Sequence, residues 1–182
     1  MSILKEITET KHRAVEELPF VQYLLKGQIN ESHYVIYLHE MLHIYRTIEE
    51  CATDAGLLTG MEGIKRSAAI YQDLQELHPD YESELLDSTV VYLKHLRELH
   101  ESDSNKLLFA HVYVRHLGDL YGGKMIARNV PGSGKWYEFN DRATLVKEFN
   151  SRLSLELGDE ALIAFDFFDA IFKELWTRVE GN

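Results

Sequence analysis

Cysteine occurs once in the 182 residues, at Cys51, so no disulfide can close within the chain and a reducing, cytoplasmic setting is expected. Proline occurs three times, at Pro19, Pro79 and Pro131, leaving long stretches free of the residue that most reliably breaks a helix. No apolar run approaches the roughly 18 residues that a membrane-spanning helix needs, so no membrane anchor is expected. The opening residues Met1 to Glu6 are amphipathic and already acidic, unlike a targeting segment. Basic residues are few: 19 Lys and Arg stand against 30 Asp and Glu, a net charge of −11. That balance argues against nucleic acid and anionic membranes as partners. Asn-Gly and Asp-Gly hairpin signals are missing too, and no segment sustains the period-two alternation of a strand.

What remains is helical. Hydrophobic residues make up 45% of the chain and charged residues 27%, the balance of an ordinary globular protein. Apolar periodicity predicts helices at about 2–17, 20–27, 30–54, 62–77, 80–100, 103–129, 142–155 and 159–179. The clearest loop is Val130-Pro131-Gly132-Ser133-Gly134-Lys135. No repeat or low-complexity tract divides the chain, so one all-α domain over 1–182 is expected.

One predicted helix carries a conflict. Gly118, Gly122 and Gly123 fall within six residues of the 103–129 run. Each glycine in a helix interior costs about 1 kcal/mol relative to alanine. At about 100° per residue, Arg115, Gly118, Asp119 and Gly122 share a stripe with almost no bulk, with Gly123 at its edge. Such a stripe lets something flat and large lie on the backbone, with Asp119 aimed at it. It also suits a close helix–helix crossing, or a helix ending at Gly122.

Two histidine patterns compete for a metal. His39-Glu40-Met41-Leu42-His43 is a literal zinc-peptidase signature. On its helix the apolar face is Tyr34, Tyr37, Leu38, Met41, Tyr45, Ile48 and Ala52. Both histidines are expected opposite it, toward solvent, where a catalytic zinc finds neither shelter nor a third ligand. On the first helix Ile3, Ile7, Ala14 and Leu18 are the expected core stripe, while Lys5, His12 and Glu16 share the other face. That face reads either as solvated or as the edge of a ligand site.

The segment from Lys5 through Lys11-His12, Glu16, Pro19-Phe20 and Lys26-Gly27, followed by residues 116–123, resembles the heme oxygenase family. The family's distal helix carries Tyr-Leu-Gly-Asp-Leu-Ser-Gly-Gly, matched here at six of eight places, with His116 and Tyr121 as the departures. Further similarity runs through His43-Ile44-Tyr45, Glu49-Glu50, Lys65-Arg66, Asp73-Leu74 and Phe172-Lys173-Glu174-Leu175. The resemblance implies a multi-helix fold with heme, both cofactor and substrate, between the first helix and a distal helix kinked at its glycines. It implies His12 as the iron ligand, oriented by Glu16, and Lys5 reaching a propionate. Asp119 is implied to organise the waters that deliver protons during oxygen activation, with Arg115, Tyr45 and Tyr113 extending the network, Tyr113 alternatively contacting a propionate. Gly118, Gly122 and Gly123 would leave room over the ring, and Phe165 would wall the distal pocket.

The propionate end departs from the family: Asn150 stands where an arginine is usual, with Lys147 and Arg152 as substitutes. The implied products are biliverdin, carbon monoxide and ferrous iron. The implied electron donor is a separate ferredoxin, docked on a patch drawn from Lys5, Lys11, Arg13, Lys26, Lys124, Arg128 and Lys135. Other classes are a heme-storage protein, which would keep His12 without needing Asp119, a thiaminase-like enzyme using Cys51, and the zinc peptidase.

Overall fold

The structure, a computed structural model, describes residues 3–181. The described residues form helices and turns with no strand: α1 (Ile3–Glu16), α2 (Pro19–Leu25), α3 (Glu31–Asp54), α4 (Ser67–Leu77), α5 (Asp87–Glu101), α6 (Leu108–Val112), α7 (Gly118–Ala127), α8 (Arg142–Ser151) and α9 (Gly158–Glu180).

The spine is α3. Asn30 ahead of it is extended, and its side chain accepts the His33 N–H at 2.9 Å, the capping that stops the chain unwinding there. No glycine or proline interrupts its 24 residues. Buried positions run almost round it: Tyr34, Leu38, Met41, Tyr45 and Ile48, but also His39, Glu40, Thr47 and Glu49. It packs against α4, α5 and α6, while α9 packs against α1, α2, α5 and α6. The expectation that His39 and His43 face solvent is therefore corrected. His39 is buried, its ring 4.9 Å from that of His43 and 5.3 Å from that of Tyr81, and Glu40 is fully buried. A helix surrounded on most sides has no wide solvent face.

Several helix starts are set by carboxylates distant in sequence. The Arg66 and Ser67 N–H groups that open α4 donate to Glu49 of α3. Those of Asp87 and Ser88 donate to Glu174 of α9 at 3.1 and 2.9 Å. This is why α5 begins at Asp87 and not near residue 80: Leu86 has no side-chain oxygen, and the cap comes from across the fold. Residues 62–64 form a separate tight turn, and residues 155–157 another beyond the end of α8 at Ser151.

On α1 the buried positions are Leu4 and Thr8, with Ile7 and Val15 half-buried and Ala14 exposed. The core stripe is thus rotated from the one expected, because Thr8 satisfies its own hydroxyl on the Leu4 carbonyl at 2.8 Å and can be buried. At the end of α2, Gly27 has φ +65°, and a Cβ there would meet Asn129 at 3.2 Å. That close approach lets the Asn129 amide donate to the Leu25 carbonyl at 2.9 Å, tying α2 to the end of α7.

Candidate functional site

The run predicted as one helix over 103–129 is broken in a specific way. After α6, residues Tyr113–Leu117 widen into a π-helical turn, and regular α-helix resumes at Gly118. The distortion precedes the glycines, and α7 continues past Gly122 to Ala127, so Gly122 is not a terminal cap. A π turn carries an extra residue and rotates the helix beyond it. Asp119 accordingly points inward, not along the glycine face: it is buried, whereas Gly118 is exposed and Gly122 half-buried.

The Asp119 carboxylate is gripped through one oxygen. The Tyr45 hydroxyl donates to Oδ2 at 2.5 Å and the Trp136 indole Nε1–H donates to the same atom at 2.9 Å. Among the described residues no donor reaches Oδ1. Trp136 is itself fixed from several sides. Its backbone N–H donates to Asp73 at 2.9 Å, its carbonyl accepts from Arg66, and its ring stacks on Tyr137 and Tyr37 at 4.8 and 5.5 Å. Burial pushes the Asp119 carboxyl above its usual range, against the opposing pull of Arg115, Tyr45, His116 and Trp136.

Arg115 forms no ion pair with Asp119 within 4 Å, although the two lie one turn apart. Its guanidinium instead lies 4.2 Å over the Phe168 ring and 5.4 Å from that of Tyr45, with Nη2 3.7 Å from the Met41 sulfur. Burial opposes its charge, but Tyr45, Tyr37 and Asp119 more than offset this and keep it ionised. Its Nε is buried without a hydrogen-bond partner, as are the Tyr34 and Tyr137 hydroxyls and His116 Nδ1. Burial pushes the Tyr37 hydroxyl up to about 12 despite Arg115 beside it. His116 binds Glu49 through Nε2 at 3.0 Å and packs on Tyr45 at 4.7 Å. Burial pushes Glu49 up, but His116, Ser67 and the Arg66 N–H outweigh it and hold the carboxyl below its usual range. The result is an enclosed polar network with several unmet donors and acceptors, the setting in which ordered water is retained.

The glycines divide. A Cβ at Gly118 or Gly122 would meet nothing within 4 Å, whereas one at Gly123 would meet Tyr137 at 3.0 Å. Gly118 and Gly122 bare the backbone on an open face, where Tyr121 and Met125 are exposed. Gly123, expected there with them, is instead a packing glycine.

On α1 the His12 side chain is 51% exposed, with Nδ1 3.6 Å from Glu16 and the ring edge-on to Phe165 at 6.0 Å. No described group reaches its Nε2. Phe165, expected to wall the distal pocket, thus lies against His12. Tyr113 meets α1 through its hydroxyl, 3.3 Å from Thr8 Oγ1. Lys5 is exposed. The guanidinium of Arg152, expected at a propionate, donates to the carbonyls of Leu57 and Thr59 at 2.9 and 2.7 Å. Of the cations expected to form a docking patch, Lys11 pairs with Asp166 and Arg13 with Glu9. Lys5, Lys26, Lys124, Arg128 and Lys135 are exposed.

A half-exposed imidazole with a free nitrogen, a carboxylate to orient it, and a glycine pair under open space fit an iron porphyrin. A cleft of about 460 Å³ between α3 and α4 is lined by Arg46, Glu50, Asp54, Lys65 and Ser67, and its charged walls do not suit such a ring. Trp136 is the residue that sequence reasoning missed. Its only signal is a tryptophan directly after the Gly-Ser-Gly-Lys loop, whose N–H needs a partner once buried.

Known proteins resemble this chain in sequence and in fold. The family model described as heme oxygenase matches residues 1–174. Heme oxygenase 1 of Homo sapiens is 29% identical, over 94% of this chain and 70% of its own. A heme oxygenase of Guillardia theta is 28% identical, over 94% and 84%. Heme oxygenase-1 of Synechocystis sp. PCC6803, solved in complex with heme, superposes with a TM-score of 0.84 at 25% identity, covering 98% of this chain and 92% of that one.

Proposed function

The chain belongs to the heme oxygenase family, and from that premise we propose that it opens heme to biliverdin, carbon monoxide and ferrous iron with electrons from a ferredoxin-type donor. When bound, heme supplies both the iron that activates oxygen and the ring that is cleaved. His12 would hold the iron through Nε2, with Glu16 orienting the imidazole through Nδ1, and α1 and α7 would flank the group. Gly118 and Gly122 keep side chains off the distal face. Asp119 holds a water at Oδ1 and passes a proton through it, while Tyr45 and Trp136 fix the carboxylate at Oδ2. Arg115 and the tyrosine hydroxyls around it extend the water network. Lys5 would hold a propionate. Tyr113 bridges α1 and the distal element, which keeps the two walls of the slot in register. Lys26, Lys124, Arg128 and Lys135 offer the donor protein its positive surface. No described helix is long and apolar enough to cross a membrane, and the lone, buried Cys51 suits a cytoplasmic setting.

The observation that carries the reading is Asp119: a buried carboxylate, held through one oxygen, on the helix whose glycines stand open. A storage protein has no use for it. The test is to load hemin, then add reduced ferredoxin and air. Decay of the Soret band into a bilin spectrum supports the proposal, and a stable heme spectrum refutes it in favour of storage.

A further inference from the structure

Where α5, α6 and α9 meet, His95, His111 and Glu160 converge on one another and share no hydrogen bond with Asp119 or His12. We propose that these three side chains bind a divalent first-row transition metal ion, as a two-histidine, one-carboxylate site distinct from the heme iron.

Both Nε2 atoms approach the same carboxylate oxygen, His95 at 2.6 Å and His111 at 2.9 Å. The three ligating atoms all lie within 4.8 Å of one another. Metal bonds of about 2.0–2.2 Å place neighbouring ligands roughly 3.3 Å apart, so opening the cluster by less than about 1 Å admits an ion. Glu160 is unbranched and sits in the first turn of α9, so a change of rotamer is enough.

The surroundings are those of a ligand set. Tyr92, one turn before His95, places its hydroxyl 2.8 Å from His111 Nδ1. That contact orients the imidazole, and once a metal takes Nε2 the hydroxyl can accept a hydrogen bond from Nδ1–H. His95 packs on Phe167 at 5.0 Å, and Phe167 stacks on Tyr92 at 4.6 Å. His111 is fully buried, whereas the His95 side chain is 28% exposed. Entry and the fourth coordination position therefore lie on the His95 side. A metal would take these groups as two neutral imidazoles and an ionised carboxylate. Without metal the same groups make a hydrogen-bonded triad in which each histidine donates Nε2–H to Glu160. Metal binding then requires only that both imidazoles move that hydrogen to Nδ1, with no net proton loss. Imidazole and carboxylate ligands favour zinc, ferrous iron or cobalt over magnesium or calcium.

The test is titration of Zn²⁺ into the heme-free full chain by calorimetry, with the visible spectrum of Co²⁺ as a second probe. One equivalent should bind, and the Co²⁺ bands should report low coordination. Outer-shell partners are worth about 10–100-fold in affinity. Tyr92→Phe should therefore weaken binding by about tenfold, and loss of the ligand in His95→Ala by more than about 100-fold. His95 is partly exposed, so its alanine variant should fold, with far-UV circular dichroism as the check. The double variant His39→Ala, His43→Ala removes the other close histidine pair and should bind as wild type. The proposal is overturned if wild type shows no saturable binding, if His95→Ala binds equally well, or if the His39/His43 variant loses the site.

Discussion

Replacing Trp136 by phenylalanine removes one donor from a buried carboxylate, together with part of the packing of its ring. The indole Nε1–H lies 2.9 Å from Asp119 Oδ2, and both residues are buried. A hydrogen bond to a charged group is worth about 1.5–3 kcal/mol. Its loss should strengthen proton binding by Asp119 by roughly ten- to a hundredfold. The sign comes from burial. A carboxyl raised in the folded state loses stability as pH climbs from its unfolded value through its folded one, and the variant extends that climb upward. The melting temperature of Trp136→Phe should therefore lie below wild type by a smaller margin near pH ~5 and by a larger one toward pH ~8. The smaller ring also loosens packing, but packing does not titrate, so the difference between the two pH values isolates the carboxylate. In heme turnover the pH profile should move toward higher pH. Tyr45 donates to the same oxygen, so Tyr45→Phe combined with Trp136→Phe should be non-additive. A deficit equal at both pH values, with an unmoved pH–rate profile, would refute the reasoning.

His12→Ala should bind heme without its histidine-ligated spectrum, and added imidazole should restore part of it; a wild-type spectrum would return His12 to the surface residues. Gly122→Leu should be as stable as wild type or up to about 1 kcal/mol more so, yet take up heme poorly, because its Cβ meets open space. Gly123→Leu should lose stability in urea, since its Cβ collides with Tyr137. Glu174→Ala should cost about 1–2 kcal/mol in urea titration through the uncapped start of α5, with heme turnover unchanged.

The long helices were legible because their signals are local. Asn30 announces α3, and no proline interrupts the stretch that becomes α9. The start of α5 was not, because Glu174 caps it from 87 residues away, and periodicity alone carried the predicted helix back toward Pro79. Burial of His39, and of Glu40 beside it, is not legible in the sequence for a related reason. Glu40 lies within reach of the Leu86 N–H and of Arg178, partners that no helical projection of α3 displays. At the site, the glycines, Asp119 and His12 were visible as an ordered resemblance. The direction of Asp119 was not, because the π turn at Tyr113–Leu117 leaves no mark in the residue pattern and rotates the helix after it. Trp136 was invisible for want of any spacing that links it to α7.

The central claim is that Asp119 conducts the proton on which ring opening depends, and the bilin yield of Asp119→Ala measures it most directly. A positioned proton donor contributes about 10²–10⁴-fold. The alanine variant should bind heme with near wild-type affinity and form bilin slower by that factor, while Asp119→Asn, which still holds a water, should retain part of the activity. A normal bilin yield from the alanine variant would contradict the account.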